Sequence, residues 1–237
     1  MGIDIHALNF LRYTSRKKTL GRVATIGRQS LLVTPSQINK IIGISAADDF
    51  GAFCEDLLLS HFGATAVDSY DYSDYEGATF IVDLNKPLAP SKNYDTVIDC
   101  GTVEHVYNVP QALANISSLC SRGGQIVHVS PGNNCCGHGF WQFSPELFFS
   151  LYSDANGYLE TEVFVADVYE WQRSDTPTSD PRNGNLERMK RWLKTIPGLK
   201  AGVLAARRSF REIVSPTRLS DRNRHLRRCR VVELLPN

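Results

Sequence analysis

The sequence predicts an α/β fold: a doubly wound, mainly parallel seven-stranded sheet with helices on both faces. Two observations support this fold class. Short β-branched runs alternate with helical segments along most of the chain, a pattern typical of parallel sheets. In addition, Tyr94–Pro131 contains in order a strand, a polar turn, a helix, a Gly-Gly turn and a second strand. Such a unit brings the residues after its two strands to neighbouring carboxyl ends of the sheet, where open α/β sheets bind ligands.

Seven strands are predicted from short apolar, β-branched runs that end in polar or glycine-containing turns. These runs are Arg22–Gly27, Ala66–Asp71, Thr79–Asp83, Tyr94–Asp99, Gln125–Ser130, Thr161–Asp167 and Ala201–Arg207. Residues 1–20 precede the first strand and are expected to be a helical or irregular lead-in without site chemistry.

Helices are predicted where apolar residues recur at helical spacing, in several cases after a capping residue or an early proline. The segments are Pro35–Ile42 behind Thr34, Asp48–Phe62, Pro110–Leu119, Ser144–Asn156 and Leu186–Leu193. Ser174–Asn185 is rich in Ser, Thr, Asp, Asn, Gly and Pro, so we expect a loop there.

The chain of 237 residues is long enough for one α/β domain and an additional segment. We expect residues 1–207 to form the domain and the arginine-rich residues 208–237 to form an appendage. No apolar run approaches the ~20 residues that span a bilayer, and the first residues lack a secretory-signal pattern. The six cysteines are scattered, and Cys135-Cys136 beside His138 lacks the CxxC spacing of metal sites. We therefore expect a cytoplasmic protein with reduced thiols, no metal ion and no membrane partner.

The net charge of +1 conceals an uneven distribution of charge along the chain. Between Asp48 and Glu104 there are twelve acidic residues and two lysines, a local net charge of −10. Between Arg173 and Arg230 there are sixteen basic and five acidic residues, a local net charge of +11. The basic segment either docks on the acidic part of the same chain or meets a polyanion. The sequence leaves both alternatives open, and it does not indicate an oligomeric state.

The residues between Gly21 and Arg207 resemble the class I, Rossmann-like S-adenosylmethionine-dependent methyltransferases. Four segments in the expected order carry this resemblance: Val67–Ser73, Ile81–Asp83, Tyr94–Val106 and Leu119–Gly124 with the strand behind it. The turn after the first strand departs from the family, because Gly27-Arg28-Gln29-Ser30 has one glycine and no acidic residue. Members usually have a glycine-rich turn there, where the backbone approaches the cofactor closely.

The resemblance implies S-adenosyl-L-methionine as the cofactor and suggests which residues bind it. Asp71, followed by Tyr72, would accept hydrogen bonds from both ribose hydroxyls. Asp83 would accept from the adenine amino group while Leu84 packs on the ring. The variant turn Gly27-Arg28-Gln29 would border the cofactor, and Asp99-Cys100-Gly101 would line its methionine end. Each aspartate has a structural alternative, as the capping residue of a turn at the end of its strand.

Catalytic and substrate residues are predicted behind the fourth and fifth strands. Glu104, His105 and His138 are the candidate proton acceptors, since histidine titrates near neutral pH. The candidate substrate residues combine polar groups with aromatic walls, a composition that suits a polar ring: Asn133, Asn134, His138, Phe140, Trp141 and Gln142. The alternatives are that Glu104 and His105 fix a loop, and that the aromatic residues plug the core.

Three functions are consistent with this sequence. The first is transfer of a methyl group from S-adenosylmethionine to an oxygen or nitrogen of a polar small molecule, such as a sugar or glycan precursor. The second is a protein of methyltransferase fold that binds or scaffolds without catalysis, which the variant turn after the first strand favours. The third is methylation of RNA held by the nine arginines between Arg207 and Arg230. A solvated terminal segment explains those arginines more simply, so we do not expect a nucleic-acid partner.

Overall fold

The computed structural model describes residues 2–44, 50–133, 135–167 and 226–234. Its strands are Gly2–Ile3 (β1), Gly21–Ile26 (β2), Ser30–Leu31 (β3), Ala64–Asp71 (β4), Phe80–Ile81 (β5), Tyr94–Cys100 (β6), Cys120–Pro131 (β7), Tyr158–Asp167 (β8) and Leu226–Leu234 (β9). Its helices are Ile5–Lys17 (α1), Pro35–Ile42 (α2), Glu55–His61 (α3), Val109–Leu119 (α4) and Pro145–Leu151 (α5). Single 3-10 turns cover Val103–His105 and Asp154–Asn156.

Seven strands form one sheet in the order β5-β4-β2-β6-β7-β9-β8, and β1 and β3 form a separate parallel pair. The first five strands in this order, β5, β4, β2, β6 and β7, are all parallel. Strand β9 runs antiparallel to both of its neighbours. From β2 the chain proceeds outward through β4 to β5, and it then returns to β6 and β7 on the other side. The predicted mainly parallel, seven-stranded α/β fold is confirmed.

Helices pack on both faces of the sheet because side chains alternate between the faces along each buried strand. Val23, Ile98 and Val127 belong to a core cluster that also contains residues of α1, α2 and α3. Their neighbours in sequence, Ala24, Val97 and Ile126, belong to a second cluster with residues of α4 and α5. Strands buried on both faces have the continuous apolar sequences that these strands show.

The last strand along the chain differs from the prediction. Leu226–Leu234, expected to belong to an appendage, forms β9 between β7 and β8, so the predicted boundary at residue 208 is wrong for this segment. Three arginines lie within the strand and hid its β-character from a pattern analysis. The strand predicted at Ala201–Arg207, the helix at Leu186–Leu193 and the loop at Ser174–Asn185 fall outside the described residues.

Helix α2 confirms its sequence signal, because Thr34 and Gln37 form a reciprocal capping box with Pro35 in the first turn. The helix predicted to begin at Asp48 instead begins at Glu55. Gly51 has a φ of +69°, which a helix does not allow. None of the described helices has both the length and the apolarity needed to cross a membrane.

The remaining predicted bounds need small corrections. The helix predicted through Asn156 divides into α5 and a separate 3-10 turn. The Gly-Gly turn predicted to follow α4 lies inside β7, which begins directly after the helix. The register between β6 and β7 shifts across the glycines, from Tyr94 opposite Cys120 to Thr96 opposite Gln125, and glycine inside a strand often marks such an irregularity.

Candidate functional site

The candidate site lies at the carboxyl ends of β2, β4, β6 and β7. In the strand order β2 and β6 are neighbours, and the connections leave them toward opposite edges of the sheet. This point of reversal is where doubly wound sheets form a crevice for ligands. Gly27 follows β2 with a φ of +74°, and Gly101 follows β6 with a φ of +84°. Both turns use the left-handed conformation that glycine tolerates best.

The Asp71 carboxylate, at the end of β4, lies against the turn that follows β2. Its Oδ2 accepts a hydrogen bond from the Arg28 backbone N–H at 3.1 Å, and its Oδ1 accepts from the Tyr72 N–H at 2.6 Å. A carboxylate offers about four acceptor positions, so Asp71 keeps capacity for further donors. Tyr72 is 75 % exposed and could cover a ligand held at this carboxylate.

Arg28 links the loops on the two sides of this edge. Its Nε donates to Glu55 Oε1 at 2.7 Å, and its Nη1 donates to the carbonyl oxygens of Glu76 and Gly77. The guanidinium lies 4.0 Å from the centre of the Phe53 ring, a distance typical of a cation–π contact. The Arg28 side chain therefore lies at the turn after β2, where the class I methyltransferases usually have glycine.

Gln29 points inward, not toward a ligand. Its side chain is fully buried, and its Nε2 donates to the Ile26 carbonyl and to Thr102 Oγ1. Thr102 Oγ1 in turn donates to the same carbonyl at 2.6 Å. Gln29 therefore ties the turn after β2 to the turn after β6, and direct contact with a cofactor is not the role that its contacts favour.

The structure gives Asp83 the contacts of a turn-capping residue. Its Oδ1 accepts from the backbone and side-chain amides of Asn85, and Lys86 approaches its Oδ2 at 3.2 Å. Hydrogen bonds from Asn85, followed by that from Lys86, lower the pKa of Asp83. Leu84 packs into the core cluster on the α4 side, so its side chain is engaged away from the surface.

Asp99 belongs to a buried polar chain below the site. Its Oδ1 accepts from the backbone N–H groups of Thr102 and Val103, and its Oδ2 lies 2.9 Å from His128 Nδ1. His128 Nε2 lies 2.7 Å from the Tyr152 hydroxyl. Because a carboxylate only accepts, Nδ1–H donates to Asp99, and in the neutral imidazole Nε2 accepts a hydrogen bond from the Tyr152 O–H. The Asp99 side chain thus fixes the turn after β6, which begins at Gly101.

Two loops meet at Glu104, in the turn after β6. The Glu104 carbonyl accepts from the Phe140 N–H at 2.7 Å and from the Trp141 N–H at 3.2 Å. Trp141 Nε1 also donates to the Val106 carbonyl. A Cβ on Gly139 would lie 2.7 Å from the Glu104 carbonyl oxygen, so this approach of the two backbones requires glycine.

The close approach of these loops brings Glu104, His105 and His138 together. One ligand atom from each lies within 4.8 Å of the others, and His138 Nε2 is 3.5 Å from Glu104 Oε1. Burial lowers the pKa of His105, although the charge of Glu104 opposes this effect. The three predicted proton acceptors therefore form one cluster, which sequence spacing alone does not reveal.

Exposed aromatic side chains border this cluster. Phe140 is 68 % exposed and forms an edge contact with Tyr107, while Trp141 is 41 % exposed. The Gln142 Oε1 accepts from the Cys135 N–H and so shapes the loop. Asn133 is exposed, and Asn134 lies outside the described residues. Phe140 and Trp141 form a wall available to a ligand, whereas Phe143 plugs the core against Phe148.

Sequence analysis missed His128 and Tyr152 as members of the polar chain below the site. His128 stands between two valines inside a strand, so its sequence context predicts a core side chain and not a member of a polar site. Tyr107 was also missed, because a single aromatic residue in a turn gives no signal before its neighbour across the loop is known.

No protein-family model and no curated protein matches this sequence. Among solved structures, N-methyltransferase NodS from Bradyrhizobium japonicum is 10 % identical with a TM-score of 0.47, over 96 % of this chain and 93 % of that chain. The YcgJ protein from Bacillus subtilis is 10 % identical with a TM-score of 0.46, over 96 % and 98 %. A Haemonchus contortus phosphoethanolamine N-methyltransferase in complex with S-adenosyl-L-methionine is 12 % identical with a TM-score of 0.44, over 99 % of this chain and 58 % of that chain. Because all three TM-scores are below 0.5, function rests on the residues of this chain.

Proposed function

We propose that this protein is an S-adenosylmethionine-dependent methyltransferase that acts on an oxygen or nitrogen atom of a polar small molecule. The observation that carries this proposal is the position of Asp71. Its carboxylate lies at the end of β4, against the turn of β2, at the point where the strand order reverses. A carboxylate at this place can hold two vicinal hydroxyls of a ribose, and the crevice beside it receives the rest of the nucleoside.

The acceptor would enter on the other side of the crevice, behind β6 and β7. There the cluster of Glu104, His105 and His138 lies beside the loop that carries the exposed ring of Phe140. Methyl transfer from a sulfonium depends mainly on aligning the nucleophile with the methyl group. The aromatic wall would orient a polar ring such as a sugar, and the cluster would receive the proton that the acceptor loses.

Calorimetric titration with S-adenosylhomocysteine tests this proposal. We expect micromolar affinity for the unmodified protein. Asp71→Ala should weaken binding by about 1–3 kcal/mol, because buried ribose hydroxyls lose a charged acceptor. Asp74→Ala is the matched control, since it removes the same charge from an exposed position three residues later and should leave affinity unchanged. If S-adenosylhomocysteine does not bind to the unmodified protein, the proposal that this protein is a methyltransferase is wrong.

A binding protein without catalysis is a second candidate, and the Arg28 side chain favours it. The guanidinium bridges Glu55 and the Glu76–Gly77 backbone across the edge of the site. If this bridge excludes the nucleoside, the unmodified protein will not bind S-adenosylhomocysteine and Arg28→Gly will gain affinity. Equal binding by both proteins would show that Arg28 borders the cofactor without blocking it.

A further inference from the structure

The cluster of Glu104, His105 and His138 has the composition of a metal site. It combines two imidazoles with one carboxylate, and the donor atoms come from two loops that follow neighbouring strands. The rings of His105 and His138 lie 4.9 Å apart at an angle of 74°, so they do not stack. Ligands at ~2.0–2.2 Å from a tetrahedral ion are roughly 3.3–3.6 Å apart. His138 Nε2 and Glu104 Oε1 are 3.5 Å apart, and the three donor atoms all lie within 4.8 Å of one another.

A second observation concerns the other oxygen of Glu104. The side chain is 1 % exposed, and Oε2 is buried with no hydrogen-bond partner among the described residues. An unpartnered carboxylate oxygen in the interior is costly unless a positive charge lies nearby. No lysine or arginine forms an ion pair with Glu104 in the described part of the chain. A cation between the loops would supply the missing partner.

The surroundings hold these ligands in place. The Glu104 carbonyl accepts two backbone hydrogen bonds from the loop that carries His138, so the backbones that carry the carboxylate and the imidazole are tied to each other. Gly139 permits this contact and directly follows His138. In metal sites, hydrogen bonds to the ligating residues generally fix the orientation of those residues.

We propose that Glu104, His105 and His138 bind a divalent transition-metal ion, with at least one coordination position left open. Imidazole and carboxylate donors suit Zn²⁺, Fe²⁺, Co²⁺ and Mn²⁺ better than they suit Mg²⁺ or Ca²⁺, which prefer oxygen ligands. Three protein ligands leave a position for water or substrate. If the proposed methyl transfer holds, an oxygen of the acceptor would fill that position and the ion would lower its pKa. The proton would then pass to solvent water, because the three cluster residues would act as ligands and not as proton acceptors.

Titration of metal-free, tag-free protein with Co²⁺ tests the site, because visible absorption reports the coordination of this ion. We expect one ion per chain, displaced by Zn²⁺. Glu104→Gln, His105→Ala and His138→Ala should each weaken the affinity at least tenfold. His6→Ala, in α1, and Cys136→Ser, at an exposed position two residues before His138, are the controls and should leave it unchanged. Thermal unfolding of each variant shows whether it is folded.

Two results would overturn the metal site: no saturable binding of Co²⁺, or binding lost with Cys136→Ser and kept in all three cluster variants. Parallel titration with S-adenosylhomocysteine separates this inference from the proposed function. Nucleoside binding without metal binding refutes only the metal site. Metal binding without nucleoside binding confirms the metal site and refutes the proposed methyltransferase function.

Discussion

Among the single side chains, Tyr152 has the most sharply defined contribution to stability. Its hydroxyl is the partner of His128 Nε2, and both side chains are about 1 % exposed. Tyr152→Phe keeps the ring and leaves the imidazole nitrogen buried without a donor. We expect the free energy of unfolding to fall by about 1–3 kcal/mol, measured by urea denaturation.

The matched control for this substitution is Tyr107→Phe. It also removes one tyrosine hydroxyl, but from a side chain that is 75 % exposed. Surface substitutions of this kind change stability by less than about 0.5 kcal/mol. Equal effects of the two substitutions would mean that the hydrogen bond from Tyr152 to His128 adds nothing to stability.

The same buried chain shows how far single residues can be predicted from sequence. The position of Asp71 at the end of a strand follows from the β-branched run before it, and the structure places it beside the turn of β2. The contacts of Asp99 do not follow, because its partner His128 lies 29 positions later in the chain, and Tyr152, which bonds to His128, lies 53 positions later. An aspartate behind a strand looks the same in sequence whether it faces a ligand or a buried histidine.

Gly139 allows the segment between β7 and α5 to approach the Glu104 carbonyl closely. Gly139→Ala would place a Cβ 2.7 Å from the Glu104 carbonyl oxygen and separate the two loops. Gly137→Ala is the matched control, since its φ of +86° is similarly strained but no atom lies within 4 Å of the added Cβ. The difference in stability between the two variants therefore reports the steric clash alone, because both variants carry a similar backbone strain.

We expect Gly139→Ala to cost about 1–3 kcal/mol more than the control, because the close contact forces a backbone shift. Hydrogen exchange read by mass spectrometry should show faster exchange at the Phe140 and Trp141 amides in Gly139→Ala alone. Slow exchange at both amides in this variant would contradict the assigned contact.

Helix and strand bounds follow from sequence where a local signal decides them. Thr34 with Pro35 predicts α2 correctly, because the capping box is local. The start of α3 was wrong, because the apolar spacing of Phe50 and Phe53 is helical whereas the backbone at Gly51 is not. Phe53 instead forms an isolated bridge with Ser30, a contact between distant parts of the chain.

For the whole sheet, the decisive feature is that β9 lies between β7 and β8. Removal of residues 225–237 should leave both neighbours without their ladder partner and expose two strand edges. We expect this protein to aggregate or to lose its cooperative unfolding transition, as measured by light scattering and thermal circular dichroism. A protein shortened by residues 235–237 alone keeps β9 and should unfold like the full chain. A cooperative transition in the longer truncation would show that β9 is dispensable.

The position of β9 also affects the order in which the chain can fold during its synthesis. The parallel strands from β2 to β7 have left the ribosome long before residues 226–234 are made. Translation at about 5–20 residues per second requires roughly 3–12 s for the roughly sixty residues between β8 and β9. During this interval the edge of β7 has no partner and β8 has no sheet to join. The nascent protein therefore passes through a stage with an open strand edge, at which a chaperone can bind and at which two unfinished chains can associate.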